Sequence, residues 1–168
     1  MYEDYPVKPY ISPERDLATE EFKPVPKKNM ELLEDDLLAG DIILLWRIAF
    51  DTFTNESWFP KYFEYTYGIN APKRLDMLLD KGYAQLETAF ASLNHINATK
   101  KKRILKDRGV AGLSKMKAAD LEQALKDNLS EDELGNCFTV RGILLTEKGQ
   151  AAIDANPQVI DRHPKKKY

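Results

Sequence analysis

Between residues 97 and 121 the chain runs Asn97-Ala-Thr-Lys-Lys-Lys-Arg-Ile-Leu-Lys-Asp-Arg-Gly-Val-Ala-Gly-Leu-Ser-Lys-Met-Lys-Ala-Ala-Asp-Leu121. Asn97 is a natural N-cap, because its short side chain can accept from the backbone N–H groups that a first helical turn leaves free. The spacing predicts a helix over 98–108, ended by Gly109 in a left-handed conformation. A short connection follows, and Ser114 is set to cap a second helix running to about Asn128. With Ile104 and Leu105 turned inward at about 100° per residue, Arg103 and Lys106 point outward and Lys100 and Lys102 lie on the flanks. Lys101 and Arg108 fall on the apolar stripe and have to snorkel.

The charge of this segment is out of step with the rest. The 168 residues hold 25 Lys and Arg against 27 Asp and Glu, a formal charge of -2 that excludes a protein coating nucleic acid or membrane with its whole surface. Residues 100–117 hold eight basic side chains and one acid, Asp107, a balance of +7 against -9 for the remainder. Lys100 to Arg103 occupy first helical turns, where the positive end of the helix dipole disfavours each cation by about 0.3–1 kcal/mol. Stability alone would not select them there. Lys115 and Lys117 stand at the start of the second helix, whose N–H groups can themselves receive a phosphate. Lys100, Lys102, Arg103, Lys106, Lys115 and Lys117 therefore form a candidate phosphate clamp, supplying salt-dependent affinity and register rather than base readout. The plain alternative is a solvated Lys-rich helix face, and charge does not separate the two.

The order Ile104-Leu-Lys-Asp-Arg-Gly-Val110 resembles the first helix and turn of SAP domains, small helix-extended-loop-helix modules associated with DNA. Gly109 through Ser114-Lys-Met-Lys to Asp120-Leu121 is closer to the N-terminal helical module of the terminator Rho, whose spacing it fits without a gap. The resemblance spans 96–129 and implies a nucleic-acid partner, DNA ahead of RNA. Two positions depart from it: Lys101 stands where these modules usually place an apolar core residue, and Ala119 replaces a commonly basic one. LEM-type relatives of such helix pairs bind protein, so the topology also admits a rival class, an interaction or phage accessory protein.

Working outward, the sequence predicts a helical body. Leu32, Leu33, Leu37 and Leu38 read as a helix from Met30 to Gly40, after which Asp41 is set to cap a second helix with Ile42, Leu45 and Ile48 on one stripe. Asp51 to Ser57 reads as a loop. Pro60 opens a short aromatic helix through Tyr62, Phe63 and Tyr67, ended by Gly68. Asn70 caps a helix with Leu75, Leu78 and Leu79 inward and Gly82 at its end, and Tyr83 to Leu86 alternates as a strand. Phe138, Val140 and Ile143 to Leu145 form a second strand, and Thr146 caps a helix stopped by Asn156-Pro157.

The order Leu78-Leu-Asp-Lys-Gly-Tyr-Ala84, an intervening segment, then Ile143-Leu-Leu-Thr-Glu-Lys-Gly149 resembles winged-helix regulators of the MarR and PadR kind. Phe59-Pro-Lys-Tyr-Phe-Glu-Tyr-Thr-Tyr-Gly-Ile-Asn70 and Leu145 to Gly149 also look like SAP-containing proteins of Gram-positive bacteria and their phages. The expected architecture is mainly α with minor β: a winged-helix-like body (29–87 and 137–160) with a two-stranded sheet, carrying a SAP/Rho-N-like insert (88–136). A proline-rich extended arm (1–28) and a basic tail (161–168) flank it. The recognition-like helix, Pro72 to Lys81, exposes Lys73, Arg74 and Asp76, too mixed in charge for sequence readout.

No other motif carries chemistry. Cys137 is the sole cysteine and His95 and His163 the sole histidines, which excludes an internal disulfide and a Cys/His metal site. Cys137 reads as a small buried hydrophobe and the cluster Trp46 to Tyr67 as core aromatics. Of the carboxylates Glu131-Asp132-Glu133, Glu133 reads as a capping box with Ser130. Phosphate-binding glycine loops and nucleophile elbows do not occur, so neither an enzyme nor a cofactor is expected. His163 falls in the tail, read as solvated and as a second, nonspecific phosphate contact. The acidic arm reads as a strap for a protein partner or for self-association, and as a counter-charge to the basic insert. Without a leader or a membrane-spanning run, the expected setting is the cytoplasm of a bacterial host cell, or the virion for a phage structural protein, with no membrane partner.

Overall fold

Capping side chains decide where four of the α-helices begin. The computed structural model describes residues 2–16, 18 and 23–164. In chain order these form α1 (Ala39–Ile48), α2 (Tyr62–Tyr65), α3 (Ala71–Asp80), β1 (Ala84–Leu86), α4 (Ala98–Asp107), α5 (Ala118–Asn128), α6 (Glu131–Gly135), β2 (Ile143–Leu145), α7 (Glu147–Asp154) and α8 (Pro157–Asp161). Asn70, Asn97, Ser130 and Thr146 each accept from the N–H three residues on, at 3.4, 2.8, 3.2 and 3.1 Å. The fold is mainly helical, with β1 and β2 as a small antiparallel sheet, as the sequence led us to expect. Among the described residues no helix is long and apolar enough to cross a membrane.

The chain divides into two units, one from the described parts of 1–50, 57–85 and 144–168, the other from 51–56 and 86–143. Residues 137–143, assigned to the body by their sequence, group with the second unit.

The first unit is organised around α1. Ile42, Ile43, Leu44, Leu45 and Ile48 are all buried, because a helix apolar on every side has to be enclosed. α3, α7 and α8 pack around it. Asp41 does not cap this helix: Leu38 is the N-cap, and Asp41, fully buried, reaches back from the third helical position and accepts the Leu38 N–H at 2.8 Å. Its other oxygen takes Arg74 Nε at 2.8 Å, and Arg74 Nη2 closes a second bond. Arg74 is therefore half-buried and committed, not part of an exposed recognition surface.

Three further expectations change here. The helix from Met30 to Gly40 is replaced by 3-10 turns at Lys27–Met30 and Glu34–Asp36, with Asp35 and Asp36 at φ of 56° and 58°. Leu33 and Leu37, four apart, would share a helix face, but the left-handed Asp35 and Asp36 between them break the helix. The arm is extended but built into its own unit. Tyr5 donates to the Val25 carbonyl at 2.5 Å, the Tyr10 N–H donates to the Gly68 carbonyl at 2.7 Å, and Arg15 pairs with Glu64 at 2.6 Å. His163 is not solvated: its ring lies against Trp46, Tyr62 and Tyr67, and its Nδ1 meets the Tyr67 hydroxyl at 2.5 Å. Arm residues 1, 17 and 19–22 and tail residues 165–168 lie outside the described residues.

The second unit has its own core: Ala89, Leu93, Ile104, Leu105, Leu121, Leu125, Leu129, Leu134 and Phe138 are all buried. α4 and α5 pack directly. Phe138 belongs to this core and not to a strand. The stretch 51–57, expected as a loop, contributes a short pairing: Ile143 N–H donates to Phe53 O at 3.0 Å, Asn55 N–H to Arg141 O at 2.9 Å, and Thr54 bridges Gly142 antiparallel. Asn55 adds its side chain, accepting the Arg141 N–H at 2.7 Å and donating to Thr139 O at 3.1 Å. Glu131 accepts the N–H groups of Ala89 and Phe90 at 2.8 and 3.1 Å, which fixes the turn after β1.

Candidate nucleic-acid interface

α4 turns its residues as the stripe requires. Ile104 and Leu105 are buried, Arg103 and Lys106 are exposed, and Lys100 and Lys102 are half-buried on the flanks. Gly109 follows at φ 78°, and its hypothetical Cβ would meet nothing within 4 Å, so it is the backbone conformation and not crowding that calls for glycine.

The second helix starts later than Ser114. Gly112, left-handed at φ 75°, leads into a 3-10 turn at Leu113–Lys115, and α5 begins at Ala118 with Lys117 as its N-cap. Asp120 accepts the Lys117 N–H at 3.1 Å. Ser114 caps nothing, and a carboxylate already sits by the turn where a phosphate was expected on the helix start. Lys115 and Lys117 are both exposed in this connection.

Ion pairing divides the basic segment in two. Lys101, only 7% exposed, reaches Glu122 of α5 at 3.4 Å, so the charge placed at an apolar position has a carboxylate partner across the helix pair. Arg108, exposed rather than on the apolar stripe, pairs with Glu133 at 2.6 Å. Backbone and hydroxyl hydrogen bonds with Ser130, then the Arg108 guanidinium, hold the Glu133 carboxyl below its usual range. Among the described residues, Lys100, Lys102, Arg103, Lys106, Lys115 and Lys117 make no ion pair.

At the N-terminal end of α4 a cavity of about 470 Å³ opens beside Lys100, its wall including Ile96, Phe138 and Val140. Glu56 and Thr139, which also line it, had no signal in the sequence, because the pairing of 53–55 with 141–143 that brings them there is long-range. Arg141 in the same stretch is spent on structure: its guanidinium donates to the carbonyls of Gly135, Phe138 and Val140 and lies 4.6 Å from the Phe138 ring centroid. Cys137 is half-buried, and its thiol donates to the Glu133 carbonyl at 3.3 Å. No group of three or more His, Cys, Asp or Glu among the described residues is arranged to hold a metal.

Comparison of the chain with protein-family models, with curated proteins and with solved structures finds no match in any of the three.

Proposed function

We propose that this protein binds nucleic acid, DNA ahead of RNA, through phosphate contacts from the exposed side of α4 and from the connection to α5. One observation carries the proposal: within a single basic segment, the two cations outside the clamp, Lys101 and Arg108, have carboxylate partners, while the six clamp cations have none among the described residues. Four of the segment's cations also crowd into the first turns of α4, against the helix dipole. A ligand charge opposite them would offset that cost. The likeness of residues 96–129 to SAP and Rho N-terminal modules supports the same reading, as does the succession of two helices, α4 and α5, joined by a short connection. On this reading the protein works in the bacterial cytoplasm, or with the virion in a phage, as a binding component and not a catalyst.

An anisotropy titration of duplex DNA at low and moderate salt tests it. The expected outcome is binding that weakens steeply with salt and is lost in the combined Lys100→Glu, Lys102→Glu, Arg103→Glu, Lys106→Glu variant. Unchanged binding in that variant, with its helical circular-dichroism signal intact, refutes the clamp.

A further inference from the structure

The cavity at the head of α4 is lined wholly by residues of the second unit, and of the clamp cations only Lys100 reaches it. Its volume of about 470 Å³ falls within the ~300–1,000 Å³ typical of small-ligand sites. Ile96, Phe138 and Val140 give it an apolar lining.

Polar groups around it have capacity to spare. The Thr139 hydroxyl donates to Glu56 Oε1 at 2.6 Å, which leaves the second carboxylate oxygen unpartnered among the described residues. Asn97 spends its Oδ1 on the Lys100 N–H, so its amide NH₂ remains a donor. The His95 ring, half-exposed on the lining, takes no hydrogen-bond partner among the described residues. Lys100 completes the wall with a cation that has no carboxylate partner there.

Apolar lining, uncommitted donors and acceptors, and a lone cation at one side suit a flat heterocycle with hydrogen-bonding edges that is joined to a phosphate. Lys100, Arg103 and Lys106 follow at intervals of three, a row that runs about 9 Å along the helix axis from the cavity. We propose that the cavity receives one unstacked nucleobase of a single strand, or of a frayed duplex end, whose phosphates follow that row. The proposal rests on the nucleic-acid reading and extends it from phosphate contact to strand state. Inside a duplex the base edges are paired and stacked, so a base enters only where the strand is open.

The test uses the full chain and three probes in anisotropy titrations: a short single strand, the same strand made abasic, and the corresponding blunt duplex. The single strand is expected to bind about tenfold more tightly than the abasic strand, the scale of one base contact. Thr139→Trp, at an exposed position on the rim, should fill the cavity, abolish that difference and leave duplex affinity unchanged. Equal binding of the two strands by the unaltered protein overturns the cavity proposal while salt-dependent duplex binding leaves the phosphate clamp standing. A base-dependent difference that survives in folded Thr139→Trp also overturns it. Failure to bind any of the three probes overturns both.

Discussion

Asp41 shows how one side chain can hold several elements together. It is fully buried, yet its two oxygens are shared between the Leu38 N–H at the head of α1 and the Arg74 guanidinium on α3. Removing it strands a half-buried arginine and frees a buried N–H, so Asp41→Ala should cost about 3–5 kcal/mol. Denaturant unfolding followed by tryptophan fluorescence reads this directly, since Trp46 and Trp58 both lie in the first unit. His163 makes a pH prediction in the same unit. Burial first, then the nearby Arg47 charge, pushes its pKa below the ordinary 6.5, while burial raises the Tyr67 phenol to about 12 and keeps its proton available for the neutral ring. The folded state therefore favours neutral His163. Its contribution is complete above the unfolded-state pKa and is lost as pH falls below it, because the unfolded chain then binds the proton more readily. The denaturation midpoint should drop as pH falls from about 7 through the ordinary histidine range, and His163→Gln should flatten that dependence; an unchanged slope in the variant would show that other groups cause it.

At the scale of elements, the helix starts that rest on a side-chain cap could be read locally. Asn70, Asn97, Ser130 and Thr146 each cap where the sequence set them, since the bond spans only three residues. Ser114 misled because Gly112 takes a left-handed turn ahead of it, which delays α5 by one tight turn. The break at Asp35 was illegible, because distant groups hold that side chain: Tyr83 donates to Asp35 at 2.5 Å, and Lys81 and Lys148 lie 3.6 and 4.0 Å away. The clamp cations could be read from composition. The partners of Lys101 and Arg108, and the lining residues Glu56 and Thr139, could not, because all depend on pairing distant in sequence. Packing yields sharper predictions at this scale. A Cβ at Gly149 would lie 2.1 Å from the Tyr83 carbonyl oxygen, so α7 cannot keep its place on β1's approach in Gly149→Ala, with a cost of about 1–3 kcal/mol expected from unfolding measurements. In the second unit Leu105 is fully buried between α4 and α5, and Leu105→Ala should cost about 2–5 kcal/mol. Loss of helical circular dichroism at lower denaturant checks it.

Over the whole molecule, a formal charge of -2 resolves into parts with different duties. The described part of the arm is tied into the first unit by Tyr5, Tyr10 and Arg15. Arg74, expected on an exposed recognition-like helix, and His163, in the tail read as a nonspecific phosphate contact, are spent on internal bonds. Among the described residues, six cations between 100 and 117 stand close in sequence on the second unit without a carboxylate partner. The central claim is that these positions meet phosphates. Its most direct measurement is the slope of log Kd for duplex DNA against log salt concentration, in the unaltered protein and in Lys100→Gln, Arg103→Gln, Lys106→Gln. If all six cations meet phosphates, the slope of log affinity is about -5, and neutralising three reduces it by about half. A slope near zero, or the same slope in both proteins, would contradict the account.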